Sequence, residues 1–212
     1  MTRNLRLTSA TLGVAGGAMV LGGLGLTWFA FVITGDPSPA TRITAETTGW
    51  DGGPGILLAI LAVTAAILAL FGHRKAHWAM IASAVAVAAL LAGVYFSSSD
   101  RYEFHVSIAG PMTDASYDFV GQAFDAGGSG GTNPVWLMES VQGTGKTLTG
   151  GPSGGFVVEL IGAALILCGG SVGLLSDRRG RAAAVLQPSE QRGADAPLDR
   201  RSLRSGGATG LR

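Results

Sequence analysis

GILLAILAVTAAILALFGHRKAHWAMIASAVAVAALLAGVYF, residues 55–96, decides the fold. It reads as two apolar runs, Ile56–Gly72 and Trp78–Phe96, joined by five residues, His73-Arg74-Lys75-Ala76-His77. Neither run holds a charge. An α-helix rises about 1.5 Å per residue and needs about 20 residues to cross a hydrocarbon core about 30 Å thick, and each run is close to that length. So short a linker predicts two antiparallel neighbouring helices, and its two cations place it on the cytoplasmic side of a membrane.

The rest of the chain agrees in composition. It has 212 residues, 47% hydrophobic and only 14% charged, with mean hydropathy +0.38. A soluble domain carries about a quarter charged residues. The single cysteine, Cys168, excludes an intrachain disulfide and argues against a cysteine-based metal site.

Upstream, Arg3 and Arg6 precede an apolar run, Leu12–Ile33. The rival reading is a cleaved signal peptide, whose apolar region is shorter and ends in small residues. This run ends in Trp28-Phe29-Ala30-Phe31-Val32-Ile33, which favours a retained helix over 12–33. Gly13/Gly17 and Ala18/Gly22 are small residues four apart, a spacing that lets a neighbouring helix approach closely. The connector 34–55 holds an alternating segment, Arg42–Thr48, that predicts a short strand, then a turn cluster at Gly49–Pro54. Trp28, Trp50 and Tyr95 are expected at one membrane interface, Phe71 and Trp78 at the other.

Downstream of the hairpin, residues 97–155 form a long glycine-rich loop. Tyr102, Phe104, Val106 and Ile108 occupy every second position, the period of a half-buried strand. A fourth span follows at Phe156–Leu175, and 176–212, rich in arginine, glycine and serine, predicts a disordered tail. Twelve of the fifteen cations lie in the N-terminal segment, the hairpin linker and the tail, whereas the two other loops hold three cations and nine acids. That asymmetry places both termini in the cytoplasm and both long loops outside, in a plasma membrane.

Candidate chemistry is sparse. Gly143-Thr144-Gly145-Lys146-Thr147 resembles the end of a phosphate-binding loop, but Ser140 stands where the motif needs its first glycine and no helix pattern follows. Glu103 and His105 share a strand face without a third ligand, and Arg74 and Lys75 oppose a metal at His73 and His77. No nucleophile, acid–base pair or ligand cluster emerges, so no catalytic, cofactor or metal site is assigned and an enzyme is not expected. Glu159, the one acid within a span, is the candidate intramembrane polar site; a hydrogen-bonded or snorkelling role stands beside ion handling. Phe119, Trp136 and Met138 in the long loop are candidate contacts for a membrane or envelope partner. The basic tail lacks aromatics and a fold, so no nucleic-acid partner is expected; lipid is.

A glycine-rich first helix ending near Trp28, the string Gly49-Trp50-Asp51-Gly52 before the second, a basic hairpin, a long outer loop and an arginine-rich tail together resemble the small four-helix membrane proteins of actinobacteria. The layout is also similar to the tryptophan-operon-associated membrane proteins of that group. The resemblance implies no catalytic residues. The outer-loop cysteines of tetraspanins are absent. The expected fold is an all-α membrane protein, a four-helix transmembrane bundle with a small β-containing extracytoplasmic cap. The expected function is a non-enzymatic accessory subunit of the bacterial envelope acting through its outer loop; the alternative is a small transporter or channel using Glu159.

Overall fold

The computed structural model describes residues 2–34, 42–96, 102–110 and 146–185. In order they form helix α1 (Thr2–Leu24), strands β1 (Thr27–Thr34) and β2 (Arg42–Thr48), a 3-10 turn (Gly49–Asp51), helices α2 (Gly55–Leu70) and α3 (Arg74–Phe96), strands β3 (His105–Ala109) and β4 (Thr147–Pro152), and helix α4 (Gly154–Val185). Helices α1, α3 and α4 are long and apolar enough to cross a membrane, and α2 is a shorter apolar helix of 16 residues. Among the described residues the chain is thus four helices and a small antiparallel sheet.

The hairpin forms, with a tighter turn than the sequence predicts. The N–H of Ala76 donates to Nδ1 of His73 at 2.9 Å, which satisfies one of the orphan donors of a helix N-terminus. His73 therefore starts α3, and Arg74, Lys75 and His77 lie in its first turn rather than in the linker. Helix α1 packs against α2 and α4, and α3 packs against the same two, closing a bundle.

Helix α2 buries mainly small side chains and exposes large ones. Helix α2 turns Gly55, Leu58, Ala62, Ala65 and Ala69 inward, at alternating steps of three and four, and leaves Ile56, Leu57, Ile60, Val63, Ile67 and Leu70 exposed. In water that arrangement forfeits the apolar burial that drives folding; in lipid, where tails solvate leucine as well as leucine does, close packing of small residues decides.

That packing is tightest between α1 and α4. On α4, Gly155, Gly162 and Gly169 recur every seven residues; on α1, Ser9, Gly16 and Gly23 do the same, and the sets meet antiparallel. A Cβ at Gly16 would lie 2.6 Å from the Gly162 carbonyl oxygen, and one at Gly155 2.8 Å from that of Gly23. The Ser9 hydroxyl donates to the Gly169 carbonyl at 2.7 Å, fixing the third level. Gly13 and Gly17 face Ala69 and Ala62 of α2. The other expected pair does not contribute: Gly22 has open space about it and Ala18 is exposed.

Two spans end elsewhere than the sequence suggests. The apolar run 12–33 is not one helix. Helix α1 begins at Thr2 and stops at Leu24, and Thr27–Thr34 is a strand. Leucine- and glycine-rich sequence gives way there to Trp, Phe, Val and Ile, which suit a pleated surface, and Gly25 marks the change. At the other end, α4 continues through Arg178, Arg179 and Arg181 to Val185, so the first ten residues of the expected disordered tail are helical. The remainder of the tail, 186–212, lies outside the described residues.

The strands form one antiparallel sheet in the order β3-β2-β1-β4. Arg42–Thr48 is a strand with the bounds the sequence predicts, whereas of the alternation at 102–108 only the second half lies in a strand, β3, and Tyr102 forms an isolated bridge with Gly52. Register sorts the faces. Ile108, Ile43, Ile33 and Leu148 form one cross-strand row and Val106, Ala45, Phe31 and Gly150 the next on the same face; the rows of the opposite face are Ala109, Arg42, Thr34, Thr147 and Ser107, Thr44, Val32, Thr149. Phe31, Ile33, Ile43 and Ala45 are buried. The sheet caps the end of the bundle where α1 stops and α4 starts, joined by a bond from the Ser153 N–H to the Trp28 carbonyl at 2.6 Å.

Gly16→Val should abolish the folded bundle or lower its stability by more than about 3 kcal/mol, since backbone must move to admit the side chain. Gly22→Ala should change stability by less than about 1 kcal/mol. Thermal unfolding of both variants in detergent checks the contrast.

Candidate functional site

The described residues hold two polar clusters, one at each end of the α1–α4 interface. At the sheet end, Glu159 lies in the second turn of α4 and is 0% exposed. Only two residues separate α1 from strand β1, which brings Trp28 to α4, where its indole Nε1–H donates to Glu159 Oε1 at 2.9 Å. Of the roles the sequence leaves open for Glu159, the structure has it as a buried, hydrogen-bonded carboxylate. Its Oε2 has no hydrogen-bond partner among the described residues.

Aromatic rings enclose the pair. Phe156 stands edge-on to Trp28 with centroids 6.1 Å apart, and the Tyr102 ring is tilted against Trp28 at 6.2 Å. Phe29 contacts both Phe156 and Tyr102, at 5.8 and 6.2 Å. Gly49 lies flat against the indole, and Gly52 beneath Tyr102, so neither position has room for a side chain. Trp28 is therefore fully buried instead of occupying an interface belt, whereas Trp50 is 52% exposed and Tyr95 39%. A buried carboxylate in apolar surroundings is tolerated when hydrogen-bonded, and the indole, with one donor and a large apolar body, satisfies both demands.

Beside it, Asp51 organises the approach to α2. Its Oδ2 accepts from the Thr48 N–H at 2.7 Å and the Thr48 hydroxyl at 2.8 Å, and His105 Nε2 lies 3.6 Å away. Glu103 and His105 do not gain a third ligand: no group of three or more His, Cys, Asp and Glu side chains gathers among the described residues. Thr147 begins β4, not the helix a phosphate-binding loop requires. Phe119, Trp136 and Met138 lie outside the described residues.

The opposite end is basic. His77 is 1% exposed, its Nε2 is 3.9 Å from Asp177 Oδ2, and neither ring nitrogen has a hydrogen bond among the described residues. Arg6 reaches the other oxygen of Asp177 at 4.0 Å. Arg74, Arg178 and Arg181 surround a cavity of about 240 Å³ with Trp78, Leu174 and Asp177. His77 and Asp177 were beyond sequence reasoning because they are 100 residues apart; the hint was an acid placed directly after an apolar run among arginines. Cys168 is exposed on α4 and touches neither cluster.

Comparison of the chain with protein-family models and with curated proteins gives no match.

Trp28→Phe and Glu159→Ala should each destabilise the protein by about 1–3 kcal/mol, because each leaves a buried polar atom unpaired. The double variant should cost clearly less than the two added together, by about 1 kcal/mol or more. Glu159→Gln keeps an acceptor for the indole and should unfold close to the parent. Thermal midpoints in one detergent measure all four.

Proposed function

We propose that the chain is an integral protein of a bacterial plasma membrane, spanned by all four helices, with both termini cytoplasmic and the sheet on the outer side. It acts as a non-enzymatic accessory subunit that presents the sheet, and the segment 111–145 between β3 and β4, to a partner in the envelope. The observation that carries this reading is the anchorage of the sheet: a cap with one face buried is tied to the bundle by the Trp28–Glu159 bond, so the display surface and the anchor are one body. A rigid platform with a polar face suits recognition. The exposed apolar girdle of α2, α3 and α4 supports the membrane placement, and the cations Arg74, Lys75, Arg178, Arg179 and Arg181 support the orientation. Helix α2, at about 24 Å, crosses with the turn Gly49–Pro54 drawn toward the bilayer.

The reading as a small transporter or channel has one observation in its favour, the unpaired and buried Oε2 of Glu159. Its aromatic enclosure and its bond to Trp28 favour the joint over the conduit.

Orientation is tested in a Cys168→Ala background. Thr149→Cys should react with a membrane-impermeant maleimide in intact cells and Gly180→Cys only after lysis; the reverse pattern overturns the topology. For the partner, residues 112–144 are replaced by ten Gly/Ser residues. The opposite edges β3 and β4 are three strand spacings apart, about 14 Å, which such a linker spans. Cross-linked species formed by the full chain in native membranes should disappear, and an unchanged set would count against the accessory role. Liposomes carrying the full chain should show no ion flux; a flux lost on Glu159→Gln would favour the transporter.

A further inference from the structure

The basic end of the bundle is shaped, not merely charged. Arginines that only set topology have no reason to converge, yet those of three helices do. The cavity of about 240 Å³ between α3 and α4 is lined by Arg74, Arg178 and Arg181, with Trp78 and Leu174 as its apolar wall. An adjoining space of about 370 Å³ shares Arg74, Asp177 and Arg181 and adds Arg6 of α1. Lys75 and Arg179, equally close in sequence, line neither. Asp177 lines both spaces too, but it is only 12% exposed, its oxygens lie 4.0 Å from Arg6 and 3.9 Å from His77, and Oδ2 is buried, so the arginines outnumber it around the cleft.

We propose that this cleft binds a phosphate group, with Arg74 on one side and Arg178 and Arg181 on the other as its ligands. Guanidinium presents paired N–H donors that match phosphate oxygens, and two or more of them around one concavity hold an anion in a way a flat basic surface does not. Residues 74, 178 and 181 come together because α3 starts where α4 runs past it, and α4 stays helical past Leu175, so that positions 174, 177, 178 and 181 share one face. Trp78 and Leu174 give the site an apolar side, which fits a phosphate esterified to acyl glycerol better than a free ion. Basic pockets between helices at a membrane surface suit such headgroups. The membrane placement proposed above bears on the source of the phosphate; the arginine geometry stands without it.

The test uses the full chain, stripped of lipid in detergent and examined by native mass spectrometry. Dioleoyl phosphatidylglycerol should be retained at concentrations where the zwitterionic phosphatidylcholine is not. R74Q/R178Q/R181Q should weaken retention by at least about tenfold, and K75Q/R179Q should leave it near the parent value. Millimolar inorganic phosphate forms the second arm. Displacement of the lipid shows that the free ion is recognised as well, and no displacement shows that the esterified group is the ligand; either supports the site. Equal retention of the two lipids with no effect of phosphate, or equal loss in both variants, overturns it. Should the triple variant fail to fold, the lipid comparison and phosphate competition on the parent chain decide alone.

Discussion

The close approach of α1 and α4 is the constraint on which the remaining structure depends. Glycine faces glycine carbonyl at Gly16–Gly162 and Gly23–Gly155, and Ser9 bonds to Gly169 at the third level. The backbones come into contact at these levels, and Val20 and Ile166 pack against the glycines between them. Dispersion contacts made this densely are individually weak and collectively large, and in lipid they replace the apolar burial that organises a water-soluble core. Helices α2 and α3 pack against the pair that results, α2 through its alanines and α3 through Met80, Ala84 and Val87.

The sheet follows from where that pair ends. Helix α1 stops at Leu24 and α4 starts at Gly154, on the same level, so β1 and β4 leave the bundle as neighbours and pair antiparallel. Strand β2 adds to β1 by returning from residue 34 to 42, and β3 adds to β2. A β-branched and aromatic face, Phe29, Phe31, Ile33 and Ile43, is thereby gathered beside Phe156 and Tyr102. The outcome is one continuous apolar core from Met80 and Ala69 through Leu24 and Trp28 to Ile43. The sheet is therefore joined to the bundle by packing as well as by the Trp28–Glu159 bond.

How far the sequence discloses this varies with the physics involved. The hairpin of α2 and α3 is legible because two uncharged runs with a basic linker admit few alternatives. Strands β2 and β3 are legible from period-2 alternation at Arg42–Thr48 and Tyr102–Ile108. The run 12–33 misleads because hydropathy registers how apolar a segment is and not its conformation; the shift from Gly and Leu to Phe, Val and Ile after Gly25 carried the information. The helical stretch Ser176–Val185 was hidden by its charge, although alanine and arginine are good helix formers. Glu159 is visible as an anomaly, an acid in an apolar run. Its partner is not, since Trp28 lies 131 residues away and looks from sequence like an interface tryptophan. Pairings of that kind depend on the tertiary fold, which local pattern does not encode.

The two polar clusters acquire a common meaning once the glycine register is considered. An interface repeating every seven residues can in principle slide by seven and keep two of its three levels paired, because Gly16 would then meet Gly155 or Gly169. Such a slip moves one helix about 10 Å along its partner. At the sheet end it would withdraw Glu159 from Trp28 and leave a buried carboxylate facing rings alone; at the arginine end it would part Asp177 from Arg6 and His77. Breaking a buried polar pair is far costlier than forming it is favourable. Glu159 and Asp177 sit on the same helix, α4, the first between the Gly155 and Gly162 levels of the glycine ladder and the second beyond Gly169, and their partners on α1 and directly after it are Arg6 and Trp28. The glycines bring the helices together in the register that pairs all three levels, and the contacts of the two acids favour that same register.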